Sequence, residues 1–265
     1  RRHSYPLVDL SMFRFRVFAL GQFVALFGLT AISTHDFLMP FFWQGARGFA
    51  AQEAGLMLIP FSAGIFSGAP LAGRMIHRFG ARSLMAVGLV FVIVGLALIS
   101  QLTVHSSIPD VVWRSWLCGF GFGMYFTPNN HIIMSAIPSW QRGVASGVLG
   151  MFRMIGAAVG TAVSGTIVAI IVTNRFEGLS GSLVTKQDFA LAASDPQRLE
   201  RLNNAFSDGF QAAFLVALAF VTIALLLTIM LPSRIEEPEE AEETQILQME
   251  RADASSLPQP AQSES

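Results

Sequence analysis

The side chains in this sequence that could do chemistry stand inside long apolar runs. They are the carboxylate Asp36, the guanidinium Arg153, the amides Gln22, Asn129 and Asn130, and the hydroxyl Ser33. A charged or polar group is costly in such a run, so each is by default a candidate for a substrate or ion path. Asp36 is the only acid well inside a run. At about 100° per residue, Gln22 and Ser33 share its face within about 60°. That grouping suits a proton or cation site. Asp36 is also some 20 residues from the start of its run, which allows a hydrated position at the rim. His35 is turned about 100° away and reads as rim-exposed.

Arg153 lies about 11 residues into its run, roughly 16 Å deep at ~1.5 Å per residue. That approaches the midplane of a ~30 Å hydrocarbon core. Ser146, Gly160 and Ser164 fall within about 20° of its direction. The arginine either caps carbonyls and pairs with another helix or lines a path, and these roles overlap. Asn129, Asn130 and His131 follow Thr127 and Pro128. A proline there frees a carbonyl and invites a kink. The cluster lines a cavity or ends a helix, and the helix end is the favoured reading. Arg114 reads as snorkelling to an interface.

Enzyme chemistry finds no footing, and no catalytic or metal residues are assigned. The five histidines are scattered and form no H-E-x-x-H. No helix carries two carboxylates at catalytic spacing. Gly178-Leu-Ser-Gly181 matches a short intramembrane-protease pattern but lies in a hydrophilic stretch, where it is a chance match. No phosphate-binding loop or basic–aromatic pattern points to nucleic acid. The single cysteine, Cys118, permits no internal disulfide and reads as a buried thiol.

The elements that must position these groups are membrane-spanning helices. Hydrophobic residues make up 52% of the 265 and charged residues 13%, against about 25% charged in soluble domains. The fold class is all-α, a polytopic bundle of six spans at about 17–43, 54–73, 83–102, 109–134, 143–173 and 208–231. Residues 1–16 form a basic juxtamembrane segment, 174–207 an outer loop, and 232–265 an acidic, disordered cytoplasmic tail. Pro40 bends or ends the first span. With both ends inside, ten basic residues fall on inner segments and five on outer ones, as the positive-inside rule asks. The chain opens on Arg1 without a signal pattern and is read as part of a longer polypeptide.

Glycines recur four apart at Gly119 and Gly123, Gly143 and Gly147, and Gly156 and Gly160. Such spacing lets helix backbones approach closely. Gly119 to Gly165 is therefore read as a pair of packed transmembrane helices joined by a polar turn.

Three stretches carry a family resemblance. PLVDLSMFRFRVFA, GFGFGMYFTPNN and IPSWQRGVASGVLGMFRMIGAAVGTAVSG resemble the C-terminal half of a major facilitator superfamily transporter, in its branch of fourteen-helix drug:proton antiporters, including an arginine where Arg153 stands. Gly73-Arg-Met-Ile-His77-Arg78-Phe-Gly80-Ala-Arg82 is similar to that superfamily's gating-loop signature, G-x-x-x-D-R-x-G-R-[RK]. His77 replaces the acid, and Ala81 interrupts the basic end.

The resemblance implies proton-coupled multidrug efflux by alternating access in a bacterial inner membrane. Gly73, His77, Arg78, Gly80 and Arg82 would form a weakened gating brace. No cofactor is implied, the energy source being the proton gradient. The implied partners are a small-molecule substrate, protons, the lipid bilayer and the N-terminal half of the same polypeptide, with an accessory efflux protein left open. The antiporter signature and the principal coupling acid would lie in that other half. An exporter of a specific metabolite, lipid or siderophore is the alternative within the class. A non-transporting receptor or scaffold is the alternative outside it.

Overall fold

The computed structural model describes residues 13–175, 189 and 195–232. The expectations for residues 1–12, for most of the 174–207 loop and for the acidic tail beyond 232 lie outside them. The described residues form helices α1 (Arg16–Phe41), α2 (Ala51–Leu56), α3 (Ile59–Phe79), α4 (Ala81–Ser100), α5 (Ile108–Ser135), α6 (Arg142–Arg175) and α7 (Pro196–Ile229).

Contacts between the helices set their directions. Gly156 and Gly160 of α6 face Leu26 and Thr30 of α1, so those two run parallel. Gly21 and Gly28 of α1 face Ile133 and Tyr125 of α5, so that pair is antiparallel. Gly95 and Gly88 of α4 face Cys118 and Tyr125, again antiparallel. Phe27 and Phe42 of α1 meet Phe220 and Phe210 of α7 in reverse order. The six long helices thus alternate up and down. Arg16, Arg74, Arg78, Arg82 and Arg142 gather at one end, here called the basic end. Five spans are long and apolar enough to cross a membrane. The remaining long helix, α5, carries Asp110, Arg114, Asn129, Asn130 and His131. It packs against α1, α3 and α4, which relieves it of presenting apolar residues all round.

Four boundaries differ from expectation, each for a local reason. Pro40 does not end α1. It removes the donor that would have reached the carbonyl of Asp36, and the helix continues through a π-helical turn at Phe42–Ala46. Those wider turns accompany functional sites often enough to be noted. The second span begins at Ile59, after the separate short helix α2, and runs on to Phe79. The gating stretch is therefore no loop. Gly73, His77 and Arg78 lie within α3, Arg82 lies in the first turn of α4, and Gly80 alone separates the two helices. Residues 196–207 are helical rather than loop. Asp195 caps α7 by accepting from the Gln197 N–H at 3.0 Å, with Pro196 at the first helical position, a favoured start. Leu202, Ala205 and Phe206 then bury this extension. Finally, α5 continues past Asn129 and Asn130 to Ser135, so these residues do not end a helix.

Gly80 has φ 77° and ψ 149°, a region almost closed to residues with a Cβ. Gly80→Ala is expected to cost about 1–3 kcal/mol, read as a lower midpoint of thermal unfolding in detergent.

The glycine-rich helices are packed, but chiefly on other partners than each other. A Cβ on Gly119 or Gly123 would stand 2.0 Å from the Phe61 carbonyl oxygen or 2.6 Å from that of Ile65, both on α3. On Gly156 or Gly160 it would stand 2.5 Å from the Leu26 oxygen or 2.2 Å from the Thr30 oxygen, both on α1. Gly143 and Gly147 have nothing within 4 Å. Identical spacing serves contact in two pairs and an open face in the third.

Candidate functional site

Arg153 is half-buried, and its guanidinium donates to the Asn130 Oδ1 across from α6 to α5. It also lies over the Phe126 ring, 4.4 Å from the centroid, close enough for a cation–π contact. No carboxylate among the described residues pairs with it. Phe23 and Phe152, with ring centroids 5.8 Å apart, put Arg153 at the level of Phe23 on α1. The antiparallel register of α5 brings Asn129 to the same level, between the Tyr125 and Ile133 contacts. Gln22 is there too. One layer therefore holds Gln22, Asn129, Asn130 and Arg153.

Gln22 and Asn129 are buried, and neither amide has a hydrogen-bond partner at nitrogen or oxygen. Such orphaned groups cost about 1–3 kcal/mol each and call for an explanation. A turn away, the Tyr125 hydroxyl donates to the Val24 carbonyl at 3.1 Å. Tyr125 had drawn no attention in the sequence, although it is the only tyrosine within a span.

Asp36 belongs to a different level. It lies 13 residues beyond Phe23 on α1, about 20 Å along the axis. Its side chain is 61% exposed. Ser33 is buried against α6, where a Cβ on Gly160 would approach its own Cβ to 3.0 Å. The face shared by Gln22, Ser33 and Asp36 in sequence is thus closed at one end and open at the other. His35 overturns its reading as rim-exposed. It is 1% exposed and stacked on Phe61 of α3 at 4.3 Å between centroids. The helix of Phe61 covers it, which periodicity along α1 could not reveal.

Other expected residues find structural partners. Ser146 is exposed and donates to its own helix at the Gly143 carbonyl, 2.8 Å away, so it leaves the Arg153 stripe. Ser164 is buried and donates to the Gly160 carbonyl at 2.7 Å. Arg114 does not snorkel. It grips Asp110 at 2.7 Å and donates to the Leu98 carbonyl at 2.6 Å, joining α5 to the end of α4. At the basic end His77 and Arg78 are exposed, whereas Arg82 donates to the Ile229 carbonyl at 2.5 Å and closes the end of α7. At the opposite end a polar recess of about 630 Å³, lined by Gln101, His105, Asn204, Asp208 and Gln211 among others, lies well apart from the Arg153 layer.

The sequence pattern of the Major Facilitator Superfamily matches residues 3–171. The multidrug resistance protein Stp of Mycobacterium tuberculosis is 34% identical over 175 residues, covering 64% of this chain and 31% of that protein. Multidrug resistance protein 3 of Bacillus subtilis is 28% identical over 249 residues, covering 84% of this chain and 47% of its own length. The chain therefore spans about a third to a half of these relatives. Among solved structures, the Escherichia coli fucose:proton symporter FucP superposes with a TM-score of 0.61 at 17% identity, covering 82% of this chain and 49% of that one. A bacterial homologue of the human lysosomal transporter Spinster gives 0.63 at 16% identity, covering 89% and 53%. At these identities the structures speak for the fold alone.

Proposed function

We propose, on the premise that this chain belongs to the Major Facilitator Superfamily, that it is the C-terminal half of a proton-coupled exporter of amphipathic small molecules. The chain is an integral membrane protein. In this reading its basic end is cytoplasmic, the membrane is a bacterial inner membrane, and the substrate binds between this half and an N-terminal half of the same polypeptide.

The observation that carries the reading is the Arg153 layer. A half-buried cation meets a neutral amide and an aromatic ring, with Met154 beside it 76% exposed. Such a wall of aromatic and polar groups suits loosely fitting amphipaths. The names of the relatives favour drugs as cargo. The surfaces open to the other half are the uncovered face of α6, with Gly143, Gly147 and Met154, and that of α3, where Phe66 is 80% exposed. His77 and Arg78 stand exposed at the basic end as the brace that would meet the other half during switching. An accessory efflux protein would join at the opposite end. The proton gradient supplies the energy.

The test is efflux of a fluorescent cationic dye from pump-deficient cells carrying the complete gene. Export that collapses with a protonophore is the expected result. Well-expressed protein that exports none of a panel of dyes would sink the drug-export reading in favour of a dedicated metabolite exporter or a non-transporting role.

A further inference from the structure

The buried imidazole of His35 stands apart from the Arg153 layer and is not used by it. Its Nδ1 is 3.3 Å from Asp36 Oδ1. Its ring lies on Phe61 at an interplanar angle of 26°. Its Nε2 is buried and has no hydrogen-bond partner. The side chain of Asp36, by contrast, is 61% exposed. A buried base is therefore joined to the open face of the bundle by a carboxylate. We infer that His35 and Asp36 together bind a proton in this half, and that its arrival changes the packing of α1 against α3. The inference rests on the proton-coupled reading above and names where this half takes part.

The proton count is simple. Neutral His35 donates Nδ1–H to Asp36 and keeps a lone pair on Nε2. One proton taken from solvent, by way of the exposed carboxylate, makes the ring an imidazolium with hydrogens on both nitrogens. The Nδ1–H then faces the Asp36 carboxylate as an ion pair, and the charge lies over Phe61, a favourable cation–π arrangement. The Nε2–H has become a buried donor without an acceptor. An unpaired buried donor is costly, and more so on a charged group. The protonated pair therefore favours an arrangement in which Nε2–H meets water or another acceptor. Reaching one requires α1 to shift or turn against Phe61, and α1 also packs on α5, α6 and α7. A single proton thus biases the helix that touches most of the bundle.

No other charge competes at this level. On α5 the titratable neighbour is the buried Cys118, beside Gly119 where that helix meets Phe61. Asp110 and Arg114 of α5 are bound to one another. The Arg74, His77 and Arg78 side chains of α3 lie 13 residues or more beyond Phe61, about 20 Å or further along the axis. By the registers above, α6 brings Ser164 and Gly165 to this level and α7 brings Phe214, none of them charged.

The experiment uses the complete polypeptide, purified with ring-labelled histidine and followed by nuclear magnetic resonance across the range where histidines change charge, about pH 5 to 8. The signal that His35→Gln removes is expected to pass from neutral to charged as the pH falls. In Asp36→Asn that signal should still be neutral at a pH where the wild type is charged. A His35 signal that never charges, or one indifferent to Asp36→Asn, overturns the proton site. His35→Asn keeps a donor near the Nδ1 position and guards against a simple folding defect.

Transport is read separately. Both His35 variants are expected to flatten the pH profile of efflux at least threefold relative to wild type. Protonophore-sensitive efflux with an unchanged pH profile in both would overturn the coupling role of His35. Wild-type efflux that ignores a protonophore would instead overturn the antiport reading and with it this coupling, while the resonance titration would still decide the proton site.

Discussion

Replacing Gly119 by alanine should leave little folded protein, whereas the same change at Gly147 should be harmless or mildly stabilising within this half. Both glycines sit inside long apolar helices, four residues from another glycine. The difference lies in what a methyl group would meet. At Gly119 it would come 2.0 Å from the carbonyl oxygen of Phe61. That atom is backbone, held by the helix of which it is part, and has no rotamer by which to retreat. The contact is reciprocal, since a Cβ on Gly64 of α3 would stand 2.3 Å from the Trp116 carbonyl oxygen. Helices α3 and α5 would have to part along the whole of this seam.

Overpacking of cores typically costs about 1–3 kcal/mol and occasionally more. A rigid backbone on both sides puts Gly119→Ala at the upper end, near 3 kcal/mol by that scale. Gly123→Ala should behave alike, and the double variant should cost less than the sum, because both relieve the same seam by the same separation. At Gly147 nothing lies within 4 Å, and alanine in a helix interior is favoured over glycine by about 0.5–1 kcal/mol. Thermal unfolding in detergent, with the amount of monodisperse protein as a second readout, checks the pair. A Gly147→Ala loss as large as that of Gly119→Ala in the complete polypeptide would mean that the other half lays backbone against that face.

The same contrast explains what was legible in the sequence. Apolar runs located the long helices to within a few residues at most ends, because the bilayer sets their length. The runs hid two extensions. In α7 the polar stretch from Pro196 to Ser207 buries only Leu202, Ala205 and Phe206, an amphipathic pattern that mean hydropathy washes out. In α3 the basic residues after Gly73 simply continue the helix until Gly80, the first residue whose backbone leaves it.

Glycine spacing marked three candidate seams but could not distinguish those with a neighbour from the one without. The site showed the same limit. Arg153 and Asn130 were both singled out, yet nothing in the spacing said that they would meet across 23 residues of chain. His35 was set aside because rotation along α1 turned it from Asp36. What buries it is Phe61, contributed by another helix. Periodicity reports which face a residue takes, and only packing reports what covers that face.

Arg153→Ala is expected to reduce dye efflux at least tenfold at equal protein abundance, the larger functional effect of any single change considered for this half. The arginine gives up a hydrogen bond from a charged donor to Asn130, of a kind worth about 1.5–3 kcal/mol. It also gives up a contact with the Phe126 ring worth about 0.5–2 kcal/mol. If these served the fold alone, the variant would unfold earlier and efflux would fall only in proportion to the protein lost.

Two further variants separate the roles. Arg153→Lys keeps the charge but not the flat fork that can lie on a ring while donating to an amide, so it should recover efflux only in part. Asn130→Asp turns the neutral acceptor into a carboxylate and makes a close ion pair with the arginine. A structural arginine would be held more firmly by that change, and the protein should then stay stable and active. A path-lining arginine would instead be neutralised. In that case Asn130→Asp should match or raise the unfolding temperature while cutting efflux about as far as Arg153→Ala does. Thermal unfolding beside efflux, measured on the same preparations, decides between them. The second pattern is expected, because Arg153 is half-buried on the open side of α6 and no carboxylate among the described residues already holds it.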